Sequence, residues 1–310
     1  MRLHLDETQT QVIDAIDRLS EQLGGVEHLR KVHDRGSFDD AAFKALAEAG
    51  FLSLALEPGL GPVEGALVAN RVALRGHPAA VGATALVYPL LTGRAATGPA
   101  ALAPGKAGVP FRFAPVAAHV LIDGGDEALL LDAGLGDIVR VENDRAGPML
   151  GKLTDAGLAR ARSLGPGTGA KLRQWWQVAL AAEAAGAMRG AIDTTARYLT
   201  ERVQFGRPLA TFQALQHRLA HLAVRIEATY WLAMEAAFRQ ESPDFAAVAA
   251  TQAVATAPLA FSECQQMHGA MGFTREYPLH VWTMQLPALQ RELGGLSAHA
   301  RAAALLRYAA

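Results

Sequence analysis

The sequence predicts a mainly α-helical protein with a small β middle, and three observations predict it. Apolar residues recur at helical spacing over residues 1–90 and again beyond Leu172. Between those stretches, glycine, proline and short apolar runs replace that period. Aromatic residues make up only 6% of the chain and alanine is abundant, the texture of closely packed helices. Three zones follow: an N-terminal helical domain over 1–90, a reduced β domain over 91–169, and a C-terminal helical bundle over 170–310.

In the first zone Val12, Ile13, Ile16 and Leu19 lie on one helical face. Ser37 with Asp39 and Asp40 supplies a helix start before Phe43, Leu46 and Ala47. Glu57 to Pro62 is a turn cluster, and Val63 to Leu74 forms the next helix, with a stop at Gly76. In the middle zone the runs Val116–Ile122, Ala128–Leu131 and Ile138–Val141 read as strands. Gly124-Gly125-Asp126 makes a hairpin turn between the first two. The zone is too short for a complete barrel. Four long helices then follow, over Trp175–Glu201, Thr211–Arg239, Asp244–His268 and Leu286–Tyr308. In this order they predict an antiparallel bundle.

Composition limits the function classes. The 29 basic and 30 acidic residues form no block of one sign, so nothing favours nucleic acid or an anionic membrane as partner. Cys264 is the single cysteine, which excludes an intrachain disulfide and a cysteine-based zinc site. The N-terminus lacks the apolar run of a signal peptide, and no uninterrupted apolar stretch of about 18 residues is present. A soluble, cytoplasmic protein is expected. His217 and His221 lie four apart on a helix but lack the glutamate of a zinc-hydrolase motif, so a structural or solvent-facing role is expected.

Two segments carry chemistry. The connection after the first long helix reads Arg202-Val203-Gln204-Phe205-Gly206-Arg207-Pro208, followed by Phe212-Gln213. A guanidinium fixed at a helix end is suited to phosphate oxygens, and Phe205 offers a flat apolar face. The second segment, Gln266 to Pro278, places small residues at Gly269, Ala270 and Gly272, where backbone can approach a ligand directly. Each motif alone has a plain reading, as a solvated helix connection and a helix C-cap.

Together the two segments resemble the acyl-CoA dehydrogenase family, as do Gln213 to Ala220, Gly186 and, less specifically, Leu46 to Phe51 with Glu57-Pro58. The resemblance implies an acyl-CoA dehydrogenase-like fold and an FAD site shared between subunits. Arg202, Phe205 and Gln213 would lie at the FAD pyrophosphate of a neighbouring subunit, and Gln266, Gly269 and Ala270 against its adenosine diphosphate part. It further implies an acyl-CoA substrate, α,β-dehydrogenation, and an electron-transfer flavoprotein as acceptor.

The chain departs from the family pattern in two places. Ungapped alignment sets Leu293 at the catalytic-base position and Glu292 one residue earlier, a rotation of about 100° if the segment is helical. Glu292 is the candidate base only if the backbone differs there. The alternative base location on the preceding helix matches Trp176 and Gln177, neither a carboxylate; Glu183 lies two turns on and could equally cap or pair structurally. The middle-zone segments that embrace the flavin ring are also missing. Shortened relatives include subunits of heteromeric dehydrogenases acting on steroid-side-chain CoA thioesters. The expectation is therefore a dehydrogenase subunit paired with a paralogous chain in a heterotetramer, or a homo-oligomer. A non-catalytic scaffold that completes a partner's FAD site is the alternative.

Overall fold

The computed structural model describes residues 4–36, 38–142 and 149–308, so Ser37 lies outside the described residues. The N-terminal part holds α1 (Glu7–Gln22), α2 (Gly25–Asp34), α3 (Asp40–Glu48) and α4 (Pro62–Arg75). Asp6 caps α1 through a reciprocal pair with Gln9, and Asp39 caps α3 by accepting from the Ala42 amide. α4 stops at Gly76, whose φ of 86° is the left-handed turn that glycine adopts without strain. A π-helical stretch over Gly82–Val87 then runs into α5 (Tyr88–Thr92).

The middle contains two small sheets. The first has the order β1-β3-β4-β7, where β1 is Ala100–Pro104, β3 His119–Asp123, β4 Ala128–Asp132 and β7 Arg162–Ser163. β1 runs parallel to β3, and β3 pairs antiparallel with β4 through the expected Gly124-Gly125 turn. The second sheet joins β2 (Pro110–Arg112), β6 (Leu150–Leu153) and β5 (Ile138–Arg140). A short helix, α6 (Asp155–Arg160), precedes β7.

α7 (Thr168–Glu201) is the axis of the C-terminal part, and it begins before the expected Trp175. It packs against α4, α8 (Gln213–Arg239) and α9 (Pro243–His268), while α12 (Gly295–Tyr308) packs on α9. The hairpin strands β8 (Val203–Gln204) and β9 (Arg207–Pro208) link α7 to α8. Gly186 lets α4 approach α7, since a Cβ there would overlap the Asn70 carbonyl oxygen. Asn70 Nδ2 then donates to the Ala182 carbonyl at 3.0 Å across the same crossing. The resulting mainly helical architecture with reduced sheets is the expected fold class. α9 is long and apolar enough in composition to cross a membrane, yet it is packed on three sides by α7, α8 and α12.

The last expected helix is not continuous. α10 (His280–Thr283) and α11 (Leu286–Leu289) are single turns, Glu292–Gly294 forms a 3-10 turn, and only then does α12 begin. Leu293 has φ 50°, followed by Gly294 at 86° and Gly295 at 73°, so three consecutive left-handed residues break the axis. The glycine pair makes this break cheap, and the pairing of Glu292 described next holds it in place.

Candidate functional site

The break turns Glu292 inward. Its Oε1 accepts from Arg112 Nε at 2.5 Å and its Oε2 from Trp176 Nε1 at 2.5 Å. The other edge of the same guanidinium donates from Nη2 to Glu183 Oε2 at 2.7 Å. Glu183 Oε1 in turn accepts from the Gly82 amide at 2.9 Å, so Glu183 has structural partners at both oxygens. Burial opposes the charge on Arg112, but the carboxylates of Glu183 and Glu292 outweigh it and push the guanidinium above its ordinary value. Behind the turn, His299 Nε2 donates to the Glu292 carbonyl at 3.1 Å, and Gln177 Nε2 donates to His299 Nδ1 at 3.1 Å. Burial lowers the His299 pKa, which matches this neutral tautomer.

Glu292 borders a cavity of about 780 Å³ between the sheet layer and α12. Leu102, Phe111, Trp176 and Ala298 are among its walls, and Arg112, Asp123, Arg173 and Arg291 add charge to a lining whose exposed surface is mostly apolar. Glu292 is one of the titratable groups on the chamber wall, with Asp123 and His299.

The other expected site residues gather elsewhere, at the far end of the bundle. Arg202 caps α7 and is exposed; its side chain has no ion pair or hydrogen bond among the described residues. Phe205, at the tip of the β8–β9 hairpin with φ 55°, is 89% exposed. Gln213 opens α8, Gln266 lies on the last turn of α9, and both are exposed. Gly269 has open space where a Cβ would stand, and Ala270 beside it is exposed. A small core of Tyr198, Leu199 and Met267, flanked by Leu209, Leu215 and Met271, ties these segments together. Tyr198 stacks on His268 with ring centroids 4.3 Å apart, which rigidifies the same end.

This end fits a dinucleotide held from outside. It presents an unpaired guanidinium for pyrophosphate, amide side chains for hydrogen bonds, an uncovered aromatic face and an open glycine. Glu292 does not belong to it. From Trp176 to Arg202 the rise of α7 amounts to about 39 Å. The structure therefore brings the six pyrophosphate-side residues together and leaves the carboxylate in a separate site.

Sequence reasoning missed Arg112. Its one local signal is an arginine set between Phe111 and Phe113, both of which the structure buries. Trp176 was noticed for not being a carboxylate; its indole instead positions one. His217 and His221 are both exposed, as expected.

Comparison with known proteins bears on the family and the fold. Residues 174–301 match the acyl-CoA dehydrogenase C-terminal domain. A probable short/branched chain specific acyl-CoA dehydrogenase of Dictyostelium discoideum is 41% identical over 106 residues. That match spans 33% of this chain and 26% of the relative, about a quarter of its length. Among solved structures, the ChsE4-ChsE5 complex from Mycobacterium tuberculosis aligns with a TM-score of 0.82 at 20% identity, covering 97% of each chain. A Tcur3481-Tcur3483 steroid acyl-CoA dehydrogenase variant aligns at 0.80 with 27% identity, again over 97% of each. These likenesses support the acyl-CoA dehydrogenase family for this chain, and its fold is the acyl-CoA dehydrogenase fold.

Proposed function

We propose that the chain is a subunit of an FAD-dependent acyl-CoA dehydrogenase that shares its flavin sites with a paralogous partner in a heterotetramer. One observation carries this reading: Arg202, Phe205, Gln213, Gln266, Gly269 and Ala270 stand exposed together, about 39 Å along α7 from Glu292. A base and a pyrophosphate clamp so far apart serve two different sites. The chain lends one end to its neighbour and keeps a carboxylate in its own chamber.

The family likeness supports FAD as cofactor. When bound, FAD supplies acceptance of a hydride from the β carbon of the thioester. Arg202 neutralises pyrophosphate charge, Gln213 and Gln266 hydrogen-bond around it, and Phe205 covers a flat face. Glu292, hydrogen-bonded by Arg112, is the group available to take the α proton. The breadth of the chamber and the small residues Ala288, Gly294, Ala298 and Ala302 on its wall suit a bulky, steroid-like acyl group. Electrons then pass to an electron-transfer flavoprotein.

A second reading has its own observation. Arg112 and Trp176 each occupy one oxygen of Glu292, which favours a subunit that completes its partner's flavin site and performs no proton abstraction itself. The chain is to be purified alone and with the paralogous subunit, recording the visible flavin spectrum and its bleaching by acyl-CoA. Flavin kept and bleached by the chain alone rules out the scaffold reading. Loss of bleaching in a Glu292→Gln complex assigns the base to this chain, and unchanged bleaching assigns it to the partner. If no preparation holds flavin, the dehydrogenase reading fails.

A further inference from the structure

Four side chains meet where the N-terminal helices converge. His28 lies on α2, Asp39 caps α3, His77 follows the stop of α4 at Gly76, and Ser20 lies on α1. His77 Nδ1 stands 2.7 Å from Asp39 Oδ2. His28 Nε2 stands 2.9 Å from the same oxygen and 3.0 Å from Oδ1. One nitrogen of each ring and one oxygen of Asp39 all lie within 4.8 Å of one another. The other nitrogen of His77, Nε2, is 2.7 Å from Ser20 Oγ. The Ala42 amide donates to Asp39 Oδ1 at 3.1 Å, and the Asp39 amide donates to the Pro78 carbonyl at 3.0 Å. None of the four lines the chamber beside Glu292.

Asp39 is 1% exposed, and the side chains that pair with it are imidazoles, which carry charge only when protonated. A permanent cation at that point would offset the burial of its charge. Two imidazole nitrogens and a carboxylate oxygen suit zinc: imidazole disfavours magnesium and calcium, and no sulfur ligand is present to select cuprous copper. Ligand atoms around a tetrahedral zinc stand about 3.3 Å apart, so shifts of about 1 Å bring these three donors into place. The surroundings are those of a metal-binding histidine, whose second nitrogen is fixed by another group and whose neighbouring carboxylate is itself hydrogen-bonded. The His28 side chain is 23% exposed, which gives an ion a way in and a water the fourth position. Ser20, His77 and Asp39 also have the order of a hydrolytic relay, but Ser20 is 4% exposed and its hydroxyl is closed to a substrate.

The geometry points to a zinc site with His28 Nε2, His77 Nδ1 and Asp39 as ligands and Ser20 as the positioning group for His77. In the hydrogen-bonded arrangement each ring gives an N–H to Asp39. Zinc takes those nitrogens by their lone pairs. The His77 proton then sits on Nε2 and is donated to Ser20 Oγ, and the His28 proton sits on Nδ1. The ion ties α2, the start of α3 and the end of α4 together.

The test is calorimetric titration of Zn2+ into the untagged full chain after chelator treatment. Every protein compared carries His217→Gln, because the exposed pair His217 and His221, four apart on α8, is itself able to capture zinc. One zinc per chain is expected, with a dissociation constant of about 1 μM or tighter. Ser20→Ala should weaken binding about 10- to 100-fold, and His28→Gln, at the exposed edge, by more. Zinc should raise the melting temperature of the parent and leave that of His28→Gln where it was. Cobalt(II) in place of zinc should give the intense visible bands of a tetrahedral complex, a readout that needs no ligand variant to fold. Zinc uptake that His28→Gln leaves unchanged overturns the site. So does a parent that binds no zinc, or one that leaves cobalt with the pale spectrum of its hydrated ion.

Discussion

Arg112 Nε donates to Glu292 Oε1 at 2.5 Å across 180 residues of sequence, and both side chains are nearly buried, with 12% and 13% of their surfaces exposed. The same guanidinium holds Glu183, so a single positive charge restrains two carboxylates. Arg112→Met leaves both without a cation in an apolar setting. A loss of about 3–5 kcal/mol in unfolding free energy is expected, read by urea denaturation. Adding Glu183→Gln and Glu292→Gln should return most of it. A single variant as stable as wild type means the network carries little of the fold.

Arg202→Ala separates cofactor retention from folding. The side chain is exposed and unpaired among the described residues, so stability should change by less than about 0.5 kcal/mol. Flavin absorbance after gel filtration of the complex should nevertheless drop sharply. Retained flavin would move the pyrophosphate contact elsewhere.

Acid should weaken the fold through its buried histidines. Burial pushes His33 down to about 4, against the pull of its hydrogen bond to the Gly76 carbonyl, and His280 and His77 nearby add to the depression. Below its ordinary value of 6.5 the unfolded chain binds a proton that the folded chain refuses. Stability attributable to His33 is thus full above that value and declines as pH falls toward 4, by on the order of 3 kcal/mol. Asp39 acts in the same direction. Although burial opposes its charge, hydrogen bonds from His77, the Ala42 amide and His28 hold its carboxyl below the usual range, so its contribution fades at still lower pH. Melting temperatures measured from pH 7 to 4 should fall steadily, and His33→Gln should flatten the upper part of that fall.

Gly186→Ala probes the α4–α7 crossing. A methyl group there meets the Asn70 carbonyl and Ala73, so the helices must separate. About 1–3 kcal/mol of destabilisation is expected by thermal or urea melting. An unchanged midpoint would show that α4 shifts freely.

The helical halves were legible because their information is local. Val12, Ile16, Leu222 and Ile226 repeat at the period of the helix that buries them, and Gly76 marks a stop wherever it lies. The strands were less so: β1, Ala100–Pro104, is buried almost throughout, so no alternation betrays it. The bundle-end residues could be grouped because each motif is contiguous and both lie next to helix termini. The buried ion-pair network could not. Arg112 finds its partners 71 and 180 residues away, and no spacing rule encodes an ion pair over such separations. The left-handed turn at Leu293 was hidden for the same reason. A helix was the better local reading of Leu286 to Tyr308, and tertiary pairing of Glu292 overrode it.

The uncovered end of the bundle also bears on how the cell must make this protein. Phe205 is 89% exposed and Phe273 83%, both beside the segments assigned to the proposed shared flavin site. Until that neighbour arrives these rings are adhesive surface, ready to join any other greasy patch. In the proposed heteromer, copies synthesised in excess are the ones that clump, so balanced output of the two chains protects solubility as much as it supplies activity.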